Sequence, residues 1–267
     1  MKGTIGFFGV GNMGGALARA AARSIDPASL ALADRDTARA ETLAAELGGR
    51  AASNREIAET CDMLFLGVKP QVIGVLLEEL QPILAARTTP FTLVSMAAGV
   101  QIAKVRALAG ADYPVIRIMP NTPVSVGQGM ILYDHTGNVT GEALALFQTA
   151  LAQAGRLDPL PEHLIDAGCA VTGCGPAFVD LFLEALADGG VLCGLPRDKA
   201  LTYAAQMVLG SAALALESGR HPGALKDAVC SPGGSTIVGV QTLEQRAFRS
   251  AVIDAVVAAC EKTKALG

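Results

Sequence analysis

The chain has no tryptophan, and only 4% of its 267 residues are aromatic. Ala, Leu and Val therefore carry most of the 51% apolar content. Such small side chains suit closely packed helices, and Ala has the highest helix propensity of all. So large an apolar share with so few aromatics also points to extra burial in an oligomer. Long runs of like charge are missing. The 21 Lys and Arg stand against 25 Asp and Glu, a net charge of -4, so no basic stripe offers itself to a polyanion and no nucleic-acid partner is expected. Histidine is scarce: His135, His163 and His221 lie in turn-like contexts without an HExxH pattern. None of the six cysteines (Cys61, Cys169, Cys174, Cys193, Cys230, Cys260) forms a CxxC. A metal site is therefore not expected, and the cysteines read as thiols in a reducing cytosol. No Ser-His-Asp arrangement or carboxylate pair suited to hydrolysis is visible. Glu184 and Asp188 lie one helical turn apart and read as charges on a helix face.

A membrane span is not expected either. The longest uncharged stretch, 200–216, is slightly short for one and contains Thr202, Tyr203, Gln206, Gly210 and Ser211. It reads as a helix buried inside protein, between subunits. The opening MKGTIGFFGVG leads into a glycine-rich turn and does not have the form of a signal peptide. The expected location is the cytoplasm.

The first part of the chain alternates β-rich and helical patterns. Strands are predicted over 4–9, 30–34, 63–68, 91–96 and 115–119, and helices over 11–24, 37–47, 53–60, 71–85 and 101–109. Such alternation implies a parallel sheet covered on both faces, and 63–68 is continuously apolar, as a doubly buried strand requires. Beyond about Leu160 only helices are predicted: 176–192, 197–218, 223–229, 236–245 and 246–264. Pro161, Pro176, Pro196, Pro222 and Pro232 stand where helices begin or turns break. The expected class is α/β: a Rossmann-like dinucleotide-binding domain, 1–160, followed by an all-helical domain, 161–267.

Gly9-Val10-Gly11-Asn12-Met13-Gly14 follows the first strand and opens the first helix. Glycines permit the tight turn and let the backbone approach a pyrophosphate, while the helix start offers N–H groups and a positive dipole end. GxGxxG alone is a weak signal; the strand before it and the helix after it supply the required context. The second strand ends at Asp34, followed by Arg35. An acid there binds a ribose 2′-OH and favours NADH, whereas a neighbouring Arg favours the 2′-phosphate of NADPH. The sequence carries both, and a solvated turn opening a helix reads equally well for Arg35.

Several further segments, taken together, resemble pyrroline-5-carboxylate reductases over nearly the whole chain. They are 6–14; Leu66-Gly67-Val68-Lys69-Pro70-Gln71; Arg117-Ile118-Met119-Pro120-Asn121-Thr122-Pro123 with Gly127; Thr172-Gly173-Cys174-Gly175-Pro176-Ala177-Phe178; 187–191 with 194–196; and Ser231-Pro232-Gly233-Gly234-Ser235-Thr236 followed by Leu243-Glu244. The resemblance implies an NADPH- or NADH-dependent oxidoreductase that reduces pyrroline-5-carboxylate to L-proline, the last step of proline biosynthesis. It also implies that the helical domain dimerises, that higher homo-oligomers form, and that the substrate site lies near the dimer interface. Family members usually carry Ser where Thr172 and Cys174 stand.

The substrate of that family is a cyclic imino acid with one carboxylate. Two glycines at 233 and 234 let the chain turn so that the next amides converge at a helix start, a carboxylate site that needs no Arg. The resemblance assigns the carboxylate to the amides of Ser235, Thr236 and Ile237, with Gly234 in the loop and the Ser231 hydroxyl assisting. It places the Thr236 hydroxyl at the imine nitrogen, to position it or donate a hydrogen bond. Taken alone, the segment also reads as a helix N-cap after a Pro-Gly turn.

On the cofactor side, Val68, Lys69 and Pro70 follow a strand at the end where ligands bind. Lys69 touches the cofactor, lines the substrate pocket or is simply solvated. Asn54 matches an adenosine-ribose position or caps a helix. Asn121, between two prolines, bonds the nicotinamide half or shapes the turn. Two other readings differ in kind. One is a related reductase acting on another imine or a β-hydroxyacid, against which Lys199 and Lys226 lie outside that group's lysine motif. The other is a non-catalytic NAD(P)-binding sensor or scaffold.

Overall fold

Strand β1 (Ile5–Phe8) lies between parallel neighbours, β2 (Leu30–Ala33) and β4 (Met63–Leu66), and all twelve residues of the three strands are buried. The structure, a computed structural model, describes residues 3–265. Met1, Lys2, Leu266 and Gly267, at the outer ends of the two expected domain spans, lie outside them. β3 (Arg50–Ala51) pairs with β2, while β5 (Thr92–Ser95) and β6 (Val115–Met119) extend the other side, all parallel. β7 (Gly129–His135) joins β6 antiparallel, and β8 (Gly155–Pro159) closes the edge parallel to β7. The order is β3-β2-β1-β4-β5-β6-β7-β8, which contains the 3-2-1-4-5-6 arrangement of doubly wound dinucleotide-binding sheets.

Side chains alternate across these strands, so the sheet divides the core in two. Ile5, Phe7, Leu30, Leu32, Met63 and Phe65 face one side, where α1 (Asn12–Ser24), α2 (Thr37–Leu47) and α6 (Gly141–Ala150) contribute Leu17, Leu43 and Phe147. The Phe7 and Phe65 rings stack there at 4.5 Å. Phe8, Leu64 and Leu66 face the other side, covered by α3 (Asn54–Thr60), α4 (Pro70–Ala86) and α5 (Ile102–Ala109). Helix α7 (Glu162–Thr172) packs on β7. The close approach needs Gly168, where a Cβ would come within 2.4 Å of the Leu132 side chain.

The remaining helices are α8 (Gly175–Leu192), α9 (Arg197–Ser218), α10 (Pro222–Ala228), α11 (Ser235–Gln245) and α12 (Phe248–Lys264). Packing divides the chain into two compact units. One runs from the described N-terminus to Gly173 and takes back the segment from Ala259; the other is Cys174–Ala258. Within the second unit α8 packs along α9, Asp188 pairs with Arg197, and Phe182 meets Phe248 at 5.9 Å. Little of it is buried: only Ala187 in α8 and only Ala200 and Ala204 in α9. Leu201, Met207, Leu209, Leu214 and Leu216 of α9 are exposed. In the chain by itself α9 is therefore not the buried helix its sequence suggests. The segment Glu162–Leu192 and α9 are each long and apolar enough to cross a bilayer, by length and composition alone.

The predicted strands and helices all form, with boundaries shifted by a residue or two at most of their ends. β3, β7, β8, α6 and α7 are additions to the sequence reading.

Candidate functional site

The parallel pairing sets the carboxyl ends of β1, β2 and β4 along one edge, at Phe8, Ala33 and Leu66. Ligands bind at that edge in open α/β sheets. Gly9 turns the chain there with φ of +92°, and its N–H donates to the Ala33 carbonyl at 2.8 Å. A Cβ at Gly14 would stand 2.1 Å from the Gly9 carbonyl oxygen, so only glycine lets α1 start so close to the turn. At Gly11, the α1 N-cap, an added Cβ would meet nothing within 4 Å, and no side chain caps the helix. The amides of Asn12, Met13 and Gly14 thus begin a helix without intrahelical acceptors and with no acid in the first turn. An open backbone cradle with free donors and no acid in the helix's first turn fits a pyrophosphate.

Asp34 is turned inward. Its Oδ2 accepts the Val10 N–H at 2.9 Å and its Oδ1 accepts the Asp36 N–H at 3.0 Å. Its side chain is 11% exposed, with Arg39 Nη1 at 3.7 Å. Arg35 beside it is exposed, and its side chain has no partner among the described residues. Arg39 went unread in the sequence because its spacing to Asp36 is that of an ordinary helix-start charge pair.

After β4, Val68 is half-buried and Lys69 is exposed. Lys69 is the N-cap of α4 but makes no side-chain cap bond, and Pro70 takes the first helical position, where an N–H is dispensable. Asn54 requires a correction: it does not cap α3. Ser53 does, in a capping box with Glu56, and Asn54 is the first helical residue. The Ser53 bonds, backbone first, hold the Glu56 carboxyl below its usual range. The Asn54 amide instead donates to Glu79 at 3.2 Å.

Asn121 follows β6 and is 9% exposed. Its amide donates to the Thr172 carbonyl at 2.9 Å and accepts the Met130 N–H at 2.9 Å. The side chain thus ties its loop to β7 and to the end of α7. The Thr172 hydroxyl donates to Gly168 within α7, and Cys174 is the N-cap residue of α8. An ion cluster around a buried arginine, not evident in the sequence, lies nearby. Arg117 of β6, 1% exposed, binds Glu162 at 3.2 Å and Asp166 at 2.8 Å on α7. Glu162 also accepts the Ile102 N–H at 2.7 Å.

In the second unit, Ser231, Pro232, Gly233 and Gly234 form a β-turn closed by Gly234 N–H to the Ser231 carbonyl at 3.0 Å. Gly233 has φ of +68°, the conformation that favours glycine at the third position of a type II turn after proline. A Cβ at Gly234 would meet Ser231 Oγ at 2.4 Å. Helix α11 begins at once. Gly234 is its N-cap, no side chain caps it, and its first turn holds no acid. The amides of Ser235, Thr236 and Ile237 are therefore donors without helical acceptors, and all three residues are exposed. The Thr236 hydroxyl makes no bond within the described residues.

Comparison with known proteins bears on both units. Residues 162–266 match the family model for pyrroline-5-carboxylate reductase dimerisation, and residues 4–99 match one for coenzyme F420-dependent NADP oxidoreductases. The pyrroline-5-carboxylate reductase of Escherichia coli (strain K12) is 39% identical, with alignment over 100% of this chain and 99% of that protein. The chain belongs to the pyrroline-5-carboxylate reductase family. The family's reductase from Pisum sativum is 38% identical over 98% of this chain and 96% of that one. Among solved structures, the Plasmodium falciparum pyrroline carboxylate reductase with NADP bound superimposes with a TM-score of 0.87 at 34% identity, over 100% of this chain and 98% of that one. The Coxiella burnetii pyrroline-5-carboxylate reductase gives 0.91 at 30% identity, over 100% and 99%. The family's dimerisation region spans α7 to α12 in this chain, the part that leaves its apolar side chains exposed.

Proposed function

We infer that this family member reduces L-1-pyrroline-5-carboxylate to L-proline with NAD(P)H, the last step of proline biosynthesis, and that residues 231–237 hold the substrate. The observation that carries the substrate assignment is the uncapped start of α11, with three free amides after a glycine turn, in a chain that aligns end to end with these reductases.

The carboxylate is held by the amides of Ser235, Thr236 and Ile237, with the hydroxyl of Ser231 and the bend at Gly234 completing the loop. Three converging N–H groups and a helix dipole suit one negative charge. The Thr236 hydroxyl bonds the imine nitrogen and fixes the ring. It is too weak an acid to drive the reaction by proton donation, so its role is orientation of an iminium that binds already protonated. Bound NAD(P)H supplies the hydride. Its pyrophosphate lies on Gly9, Gly11, Asn12, Met13 and Gly14, and its ribose side lies by Asp34, Arg35 and Asn54. Val68, Lys69 and Pro70 line the nicotinamide side, and Asn121 fixes the loop there.

The domain division is 1–160 for the cofactor and 161–267 for dimerisation and substrate. Two or more copies assemble, with the substrate site near their interface. The exposed leucines of α9 are covered by a second copy and not by lipid, a reading that the dimerisation match supports. The protein works in the cytoplasm, with no nucleic acid or membrane partner.

The test is oxidation of NADPH, then of NADH, by purified protein given pyrroline-5-carboxylate. The expected outcome is rapid oxidation with proline as product. Thr236→Ala should lower kcat/KM by roughly tenfold, the worth of one hydrogen bond in a positioned complex, with the dissociation constant for NADPH unchanged. Absence of oxidation by a protein that binds the cofactor would reject the substrate.

A further inference from the structure

The glycine turn lies at the carboxyl ends of the strands, and the opposite end of the same sheet holds a cavity of about 350 Å³. That volume is within the range of small-molecule sites. The cavity sits where β1, β4 and β5 begin, beside the start of α6. Thr92 opens β5 there and Ser95 closes it at the ligand edge, so the two edges are about 10 Å apart at the rise of a strand. Met63 pairs with Thr92 in register, and together with Phe91 and Leu146 it gives the cavity an apolar wall. One hydroxyl is set into that wall. Thr92 is 3% exposed, yet its Oγ1 makes no hydrogen bond among the described residues. Nor is that oxygen sealed in the core, because the fully buried side-chain atoms without partners belong to Arg87 and Arg117. It is left facing the cavity that Thr92 lines. A buried hydroxyl without a partner is costly, and a bound donor would satisfy it.

The charges in the wall are all of one sign. Asp62 and Glu142 line the cavity, and no Lys, Arg or His among the described residues does. Neither acid forms an ion pair among the described residues. Asp62 Oδ2 accepts the Thr4 N–H and hydroxyl at 2.8 and 2.9 Å, which leaves Oδ1 open. Glu142 lies in the first turn of α6 and makes no side-chain hydrogen bond among the described residues. Arg87 feels the Asp62 charge, but its Nη1 donates to the carbonyls of Ala58 and Cys61, and it stands outside the wall.

We propose that this cavity is a second ligand site and that it takes a small apolar ammonium ion. The hydrocarbon part lies against Met63, Phe91 and Leu146. The ammonium N–H groups donate to the Thr92 hydroxyl and to the open oxygens of Asp62 and Glu142, as charge-assisted bonds. An anion is disfavoured, and so is an amino acid, because its carboxylate would face two acids without a cation beside it. The ligand is therefore neither the dinucleotide nor the imino acid of the proposed reaction.

Calorimetric titration of the whole protein with cyclohexylammonium chloride at neutral pH tests the proposal, with cyclohexanol as the uncharged probe of similar shape. The ammonium ion should bind roughly tenfold or more tightly than the alcohol, the worth of charge-assisted bonds. Saturating NADP+ and L-proline should leave that binding as it was. Glu142→Gln removes a charge at an exposed position, where folding is not at stake. Thr92→Val keeps the side-chain shape and removes the hydroxyl. Each variant should weaken the ammonium probe roughly fivefold and leave the dissociation constant for NADP+ unchanged. Thr92→Val should also keep the melting temperature or raise it, since the hydroxyl it removes has no partner. Equal binding of the two probes would overturn the proposal. So would displacement of the ammonium ion by proline, affinity retained in both variants, or no binding by the folded protein.

Discussion

At the scale of single residues, the cofactor turn depends on an absence of side chain. The Gly14 position lies 2.1 Å, at its would-be Cβ, from the Gly9 carbonyl oxygen. Gly14→Ala must therefore push α1 away from the turn and widen the pyrophosphate cradle. The expected cost is about 1–3 kcal/mol of stability, the usual range for overpacking. The larger effect falls on the ligand: NADP+ should raise the melting temperature of the unaltered protein and leave the variant's almost unmoved. An equal shift in both proteins would show that the turn does not hold the pyrophosphate. These glycines are legible in the sequence because a strand precedes them and a helix follows. The direction of Asp34 is not legible, since a carboxylate at the end of the second strand satisfies a backbone N–H or a ribose hydroxyl with the same residue in the same place. Arg39 escapes notice for a similar reason: Asp36 and Arg39 look like any charge pair at a helix start. For Asn121, a polar residue between prolines reads as a turn, and its bonds to Thr172 and Met130 depend on chain far away in sequence.

At the scale of elements, the strands legible in the sequence are the doubly buried ones. β1, β4 and β6 are short apolar runs bounded by turn residues, and nothing polar interrupts their central positions except Arg117. β8 is hard to read because Gly155, Arg156, Asp158 and Pro159 are poor strand formers; it lies at the sheet edge, where such residues are tolerated. α7 is hidden by Gly168, which weakens a helical pattern in sequence but lets the helix sit close on Leu132. Arg117 is the polar exception in β6 because it binds two acids of α7. Replacing it by Met would leave Glu162 and Asp166 facing each other without their cation. Removing the buried cation from two partly exposed acids is costly, and Arg117→Met should destabilise the fold by roughly 1–3 kcal/mol, read as a lower urea midpoint at an unchanged slope. An unaltered midpoint would mean that the cluster contributes nothing to holding α7 on the sheet.

At the scale of the whole molecule, the sequence signals a second copy through composition. Apolar residues are abundant, and those in α9 do not repeat on one face. The exposed leucines of α9 in the single chain, together with the dimerisation match over 162–266, give that composition a destination. Leu209→Glu with Leu214→Glu should yield a monomer by light scattering and lower the activity, because each charge would be buried unpaired at the interface. A dimer that persists would place the interface on other helices. What the sequence does not carry is the choice of substrate by geometry alone, since backbone amides bind any small carboxylate. The most direct measurement is therefore transfer of a label. NADPH carrying deuterium at both hydrogens of the reactive nicotinamide carbon is incubated with the protein and pyrroline-5-carboxylate, and the proline formed is examined by mass spectrometry and NMR. One deuterium on the ring carbon beside nitrogen, at the former imine position, is the expected result; NADPH consumption that leaves proline unlabelled, or no proline at all, would contradict the assigned reaction.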